Sequence, residues 1–254
     1  MTHGYEVEVQ IFEDGAELAG AAADMVAERT VEAIRRRGRF LIALSGGETL
    51  RGLYSLLASP AYQDKVDWKK AEVFWVDERC VPPDHPDSNY RLAHELLLSK
   101  VHVPEGQIHR IRGEEDPAET AMYYGKEVSA YMPKSLFTFD LVILGMGADG
   151  HTASLFPGDA AMSVADKVAV PVDVRGEQHR RITLTLPVLN HAAGVLFLVT
   201  GAQKAAVVRE ILDEGNPKGY PAGLVMPVKG ELLWLLDRPA ASLLSEDEGS
   251  TPHS

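Results

Sequence analysis

The stretch DLVILGMGADGHTASLFPG, residues 140–158, joins an apolar run to three glycines spaced G-x-G-x-x-G, at Gly145, Gly147 and Gly150. Such a run reads as a strand covered on both faces, and the turn behind it as one wall of a ligand crevice. Similar runs recur on either side: FLIAL (40–44), AEVFWV (71–76), GVLFLVTG (194–201) and ELLWLLD (231–237), with alternating strands at VEVQIF (7–12) and RRITLTL (180–186). Amphipathic stretches lie between them. Residues 14–37 open on a capping Asp14, fill the last turn with arginines and stop at Gly38, which together mark a helix. Further helices are predicted from about Glu48, over about 88–98 with Ser88 as cap, and over 202–213. Strands and helices in alternation predict an α/β fold, an open, mostly parallel, Rossmann-like sheet with helices on both faces. Residues 1–244 read as one such domain, and the polar segment SEDEGSTPHS (245–254) as a disordered tail.

The chain has 254 residues, and its 25 Lys and Arg against 37 Asp and Glu leave a net charge of −12. That balance argues against a nucleic-acid partner, which calls for a basic face, but allows an anionic small molecule held by a few local cations. Cys80 is the single cysteine, so no intrachain disulfide forms and a reducing compartment fits. No apolar stretch reaches the ~18 residues of a membrane span, so no membrane partner is expected. The first twelve residues lack the basic and apolar regions of a signal peptide, and the expected location is the cytoplasm. The expected state is a monomer or weak oligomer.

In a sheet of this kind the chemistry sits in the loops after the strands. After FLIAL comes Ser45-Gly46-Gly47-Glu48-Thr49, two glycines at a helix start. Ser45, Gly46, Gly47 and Thr49 are candidates for a phosphate cradle; a plain strand-to-helix turn accounts for the same residues, and Glu48 would repel an anion unless it points away. After AEVFWV come Asp77, Glu78 and Arg79. These read either as solvated loop charge or as substrate contacts, with Asp77 accepting from sugar hydroxyls and Arg79 meeting a developing oxyanion. Cys80 reads mainly as a packed side chain, with a thiol nucleophile the less favoured alternative. The glycines at 145–150 allow two readings. One is a dinucleotide turn, which needs a helix behind the third glycine; Pro157 and Gly158 interrupt it. The other is a tight turn that presents His151 as general base or acid, with Asp149 beside it. Arg181 and Lys204, each at an element end, are candidate counter-charges for an anion. No H-E-x-x-H, C-x-x-C or G-x-S-x-G motif is present, and nothing points to a metal.

Taken in order, LSGGETL (44–50), DERCVPPDHPDSNYRLAHELLL (77–98), GMGADGHTASLFPG (145–158), RITLTLPVLNHA (181–192), LVTGAQKA (198–205) and GELLWLLD (230–237) make the chain resemble the 6-phosphogluconolactonases over nearly its whole length. The resemblance implies hydrolysis of 6-phosphoglucono-1,5-lactone to 6-phosphogluconate in the pentose phosphate pathway, with a sugar-phosphate lactone as the partner and no metal or organic cofactor. Glu48 and Leu50 depart from the serine and proline of that family's glycine loop. The related glucosamine-6-phosphate deaminases carry D-G-H followed by I-A-F-N-E-P, with a glutamate at the position of Phe156, and a tyrosine at that of Arg79. A deaminase or isomerase is therefore the alternative, and the residues favour the lactonase. On that reading His151 is the base for water, Asp149 orients it, Arg79 meets the oxyanion, and Arg181 and Lys204 balance the phosphate.

Overall fold

The computed structural model describes residues 7–132, 139–174, 176 and 178–245. In chain order its strands are β1 (Val7–Phe12), β2 (Phe40–Leu44), β3 (Ala71–Trp75), β4 (Asp77–Arg79), β5 (Ile108–His109), β6 (Leu141–Leu144), β7 (Ala169–Val172), β8 (Arg181–Leu184), β9 (Gly194–Val199) and β10 (Glu231–Asp237). Seven of them form one sheet in the order β1-β10-β9-β6-β2-β3-β5, and every pairing in it is parallel. The central strands β2, β6 and β9 are buried along their whole length, which is why their sequences are unbroken apolar runs and not alternating ones. The α/β reading of the sequence holds.

One predicted strand lies elsewhere. RRITLTL supplies β8, which joins a second, antiparallel sheet in the order β4-β8-β7. The charged triplet after β3 had the composition of a loop, yet it runs on as β4. Leu184 N–H bonds to Val76 C=O at 2.7 Å, so β8 docks where β3 ends. Among the helices, α1 (Gly15–Arg37) starts at Asp14, whose carboxylate accepts from the N–H groups of Ala16 and Glu17, and stops at Gly38 with φ +75°. The next, α2 (Glu48–Leu57), starts inside the glycine loop, and α3 (Asn89–Ala93) is capped by Ser88. A fourth, α4 (Pro117–Tyr131), covers β7 and β8. Ser245 belongs to the folded part, since its N–H and Oγ bond to Asp213 at 2.8 and 2.9 Å. Residues 246–254, the remainder of the predicted tail, lie outside the described residues. No helix among the described residues is long and apolar enough to cross a membrane.

The chain runs from β2 toward β3 and β5 on one side, and from β6 toward β9 and β10 on the other. The strand order thus reverses between β2 and β6. A crevice opens outside the carboxyl ends of parallel strands at such a switch point. The segments leaving β2 and β6 there are the two glycine loops.

At the β5 edge, His109 is buried between two carboxylates. Its Nε2 lies 2.9 Å from Glu72 and its Nδ1 2.7 Å from Glu127, with the ring stacked on Phe74. Burial pulls the imidazole pKa down, but hydrogen bonds and charges from Glu127 and Glu72 outweigh it and leave it raised. A folded-state value above the unfolded one gives stability that is full below about pH 6.5 and lost as pH climbs through the raised value. The melting temperature followed by circular dichroism is expected to fall over that window, and Glu127→Gln to flatten the fall. Superimposable profiles for the two proteins would count against the assignment.

Candidate active site

The crevice holds a cleft of about 400 Å³. In the first glycine loop, Gly47 takes φ +107° and opens α2 with no side-chain cap. Leu50 N–H bonds to the Gly47 carbonyl at 3.2 Å, and the N–H groups of Glu48 and Thr49, at the positive end of the helix, are left for a ligand. A Cβ on Gly46 would stand 1.8 Å from Asn89 Oδ1, so any side chain there would push Asn89 off its hydrogen bonds to Asp77. Thr49 Oγ1 meets Thr200 Oγ1 at 2.9 Å on the cleft wall. The Ser45 hydroxyl donates to the Ile143 carbonyl at 2.7 Å, so it has no proton to give an anion; what Ser45 offers the cleft is backbone. Glu48 borders the cleft, but its side chain is 91% exposed and 3.6 Å from Arg51, which reduces the objection to a phosphate here.

The second loop is a tight turn. Gly150 N–H bonds to Gly147 C=O, Gly147 N–H to His151 C=O, and Gly150 adopts φ +78°. A Cβ on Gly147 would fall 2.2 Å from His151 Nδ1. The second glycine is thus the space that the imidazole occupies. No helix follows Gly150: Thr152 and Leu155 close a small bridge instead, with Ala153 at φ +50°. The dinucleotide reading loses the helix N-terminus it requires, and the histidine-presenting reading keeps its turn.

Asp149 accepts from His151 twice, at 2.6 Å from Nδ1 and 3.2 Å from the backbone N–H. That contact selects the tautomer with the proton on Nδ1 and leaves the Nε2 lone pair available. His151 lines the cleft; Asp149 stands behind it. The imidazole lies on the Phe156 ring, with centroids 4.4 Å apart and planes at 27°. The same ring carries the Arg181 guanidinium at 5.6 Å.

The small sheet builds the opposite wall. Arg79 on β4 and Arg181 on β8 are register partners, and both line the cleft. Directly opposed side chains on antiparallel strands are close neighbours, and like charges there repel. Together they put two guanidinium groups on one wall of the cleft, a donor set suited to an anion. Arg79 also donates from Nη1 to the Asp87 carbonyl at 2.6 Å. Lys204 closes the far side, its pKa pulled below the ordinary value by burial and held up in part by Asp237. Asp77 lines the cleft, but its carboxylate already accepts from Ser154 Oγ at 2.6 Å and Asn89 Nδ2 at 3.2 Å, which limits what it can offer a sugar hydroxyl.

Of the residues singled out by sequence, Ser45, Gly46, Gly47, Thr49, Asp77, Arg79, His151, Arg181 and Lys204 all border this one cleft. Two neighbours have other work. Glu78 is buried and accepts from Ser88 Oγ and the backbone N–H groups of Arg79, Asn89 and Tyr90, tying β4 to the start of α3. Burial pushes its carboxyl up to about 7, against the pull of those four donors. Burial also pushes the Cys80 thiol up to about 11, away from the thiolate a nucleophile needs. Asn89, Thr200, Gln203 and Asp237 border the cleft as well and were not anticipated. Thr200 was discoverable, since it directly follows the buried strand β9, the neighbour of β6; Asn89 was not, because its contacts with Gly46 and Asp77 are long-range.

The model of the family described as glucosamine-6-phosphate isomerases/6-phosphogluconolactonase matches residues 13–234. A 6-phosphogluconolactonase of Synechocystis sp. is 42% identical over 224 residues, covering 86% of this chain and 90% of its own. A Homo sapiens protein of the same name is 39% identical, covering 93% of each chain. The solved structure of 6-phosphogluconolactonase from Trypanosoma brucei superposes with a TM-score of 0.84 at 29% identity, over 95% of this chain and all of that one. The chain belongs to the glucosamine-6-phosphate isomerase/6-phosphogluconolactonase family.

Proposed function

We propose that the protein is the lactonase of this family and hydrolyses 6-phospho-D-glucono-1,5-lactone to 6-phospho-D-gluconate in the oxidative pentose phosphate pathway. The observation that carries the reading is His151, braced by Asp149 at 2.6 Å, on the wall of a cleft that also holds Arg79, Arg181 and Lys204. Relatives about 40% identical over most of the chain bear the lactonase name. Phe156 further separates the two chemistries of the family. A deaminase or isomerase must move a proton on carbon and needs an additional acid or base. Here an apolar ring lies beneath the imidazole.

In this mechanism the phosphate rests on the N–H groups of the 45–49 loop, balanced by Arg181 and Lys204. His151 Nε2 takes a proton from water as the water oxygen bonds to C1 of the lactone. The carbonyl π electrons move onto oxygen, where Arg79 meets the charge. Collapse re-forms the carbonyl and breaks the bond from C1 to the ring oxygen, which leaves with the proton returned by His151. The new carboxylic acid ionises into solvent. Water is the nucleophile throughout, so no covalent intermediate forms.

The test is the rate at which freshly prepared lactone opens with and without the protein, beside an ammonia assay on glucosamine 6-phosphate. Acceleration of the first and silence in the second is the expected result; the reverse would move the chain to the deaminases. Asp149→Asn is expected to lower kcat about tenfold or more with little change in KM, because it acts through the imidazole and not on the substrate. An Asp149→Asn enzyme changed only in KM would place this carboxylate on the substrate instead.

A further inference from the structure

Outside the cleft, two imidazoles and a carboxylate converge from two separate parts of the chain. His85 and Asp87 lie in the loop between β4 and α3, and His179 lies just before β8. One ligand atom from each falls within 4.8 Å of the other two. Asp87 Oδ2 is 3.2 Å from His179 Nε2 and 3.8 Å from His85 Nδ1, and the imidazole rings meet edge to face at 5.2 Å. We propose that His85, Asp87 and His179 form a binding site for a divalent cation of the zinc class, distinct from the catalytic cleft.

The separations suit that chemistry. Nitrogen and oxygen ligands about 2.0–2.2 Å from a tetrahedral zinc stand roughly 3.3–3.5 Å from one another. The carboxylate and His179 are already close to that spacing, at 3.2 Å; His85 stands 3.8 Å from the carboxylate and within 4.8 Å of the His179 ligand atom, so it has to move inward to complete the set. Imidazole nitrogen with one carboxylate oxygen selects borderline first-row cations over calcium or magnesium. Three protein ligands leave the fourth position to water. The loop is preorganised, with His85 N–H on the Pro82 carbonyl and Ser88 N–H on the His85 carbonyl, both at 3.0 Å. His179 and His85 are partly exposed and Asp87 is exposed, so the cation has a way in. Binding has a cost. Ligation through His85 Nδ1 takes the lone pair that now accepts from Asp87 N–H at 3.1 Å, and Arg79, bonded to the Asp87 carbonyl, adds nearby positive charge. The ligands are separated by 92 residues between Asp87 and His179, so no motif in the sequence announces them.

A bound cation would tie the β4–α3 loop to the start of β8 and restrain the carbonyl that receives Arg79. The experiment is calorimetric titration of Zn²⁺ into the dialysed full-length protein, with His151→Ala as a control for zinc taken up at the cleft. Saturable binding of one zinc per chain by both is expected. His85→Ala and His179→Ala are each expected to weaken it about tenfold or more, and the near-isosteric Asp87→Asn to weaken it also. Zinc should raise the melting temperature of the wild type and not of His179→Ala. No saturable binding, or binding that survives His85→Ala and His179→Ala or disappears in His151→Ala, overturns the site. Circular dichroism of each variant without zinc separates a lost ligand from a lost fold.

Discussion

Replacing His151 by alanine is expected to lower lactone turnover about 10²–10⁴-fold, with KM changed by no more than a few-fold. The magnitude is that of a positioned general base, roughly 3–5 kcal/mol of barrier. The direction rests on geometry. Gly147 leaves the space in which the imidazole sits, Asp149 holds its Nδ1, and Phe156 supports its face. These contacts orient the imidazole, and alanine removes proton transfer while keeping the 45–49 loop and the Phe156 ring on which Arg181 rests. Because the lactone also opens unaided, initial rates must be read against a protein-free control at each concentration. A variant that keeps most of its enzymatic rate above that control would remove His151 from the mechanism.

The second large effect is expected at the paired arginines, and it should split. Arg79→Met is expected to lower kcat about 10²–10³-fold, the usual loss for one oxyanion donor. Arg181→Met is expected chiefly to raise KM, because a phosphate contact is made alike in the ground and transition states. Methionine keeps much of the apolar stem while deleting the charge. The two residues are register partners on β4 and β8, so their effects are expected to couple, and the double variant should depart from the product of the single effects. Steady-state kinetics on the four proteins separates these outcomes. If both single variants changed KM alone, Arg79 would join the phosphate site and the oxyanion would need another donor.

Much of this architecture could be read from residue order. The buried strands declare themselves because burial on both faces forces unbroken apolar runs, as in FLIAL and GVLFLV. The two glycine loops are legible for a related reason: Gly47 and Gly150 take positive φ angles that other residues rarely adopt, and a Cβ on Gly46 or Gly147 would displace Asn89 or His151. The small sheet was hidden. Asp77, Glu78 and Arg79 have loop-like charge, and only long-range partners make them a strand: β8 for the backbone, the start of α3 for Glu78 and the cleft for Arg79. The alternating RITL pattern correctly marks a strand but carries no address for the sheet it joins. The helix α4 carries a local signal of its own, a capping Asp116 followed by Pro117.

The Phe156 ring bears the imidazole of His151 and the guanidinium of Arg181 together. On the proposed mechanism, proton transfer and phosphate recognition therefore share one support, and a change at this position bears on both. A smaller side chain would slacken both. A carboxylate would pair with the arginine and draw it from the phosphate while offering a second proton acceptor beside the histidine. On that mechanism one side chain bears on two properties that would otherwise rest on separate residues.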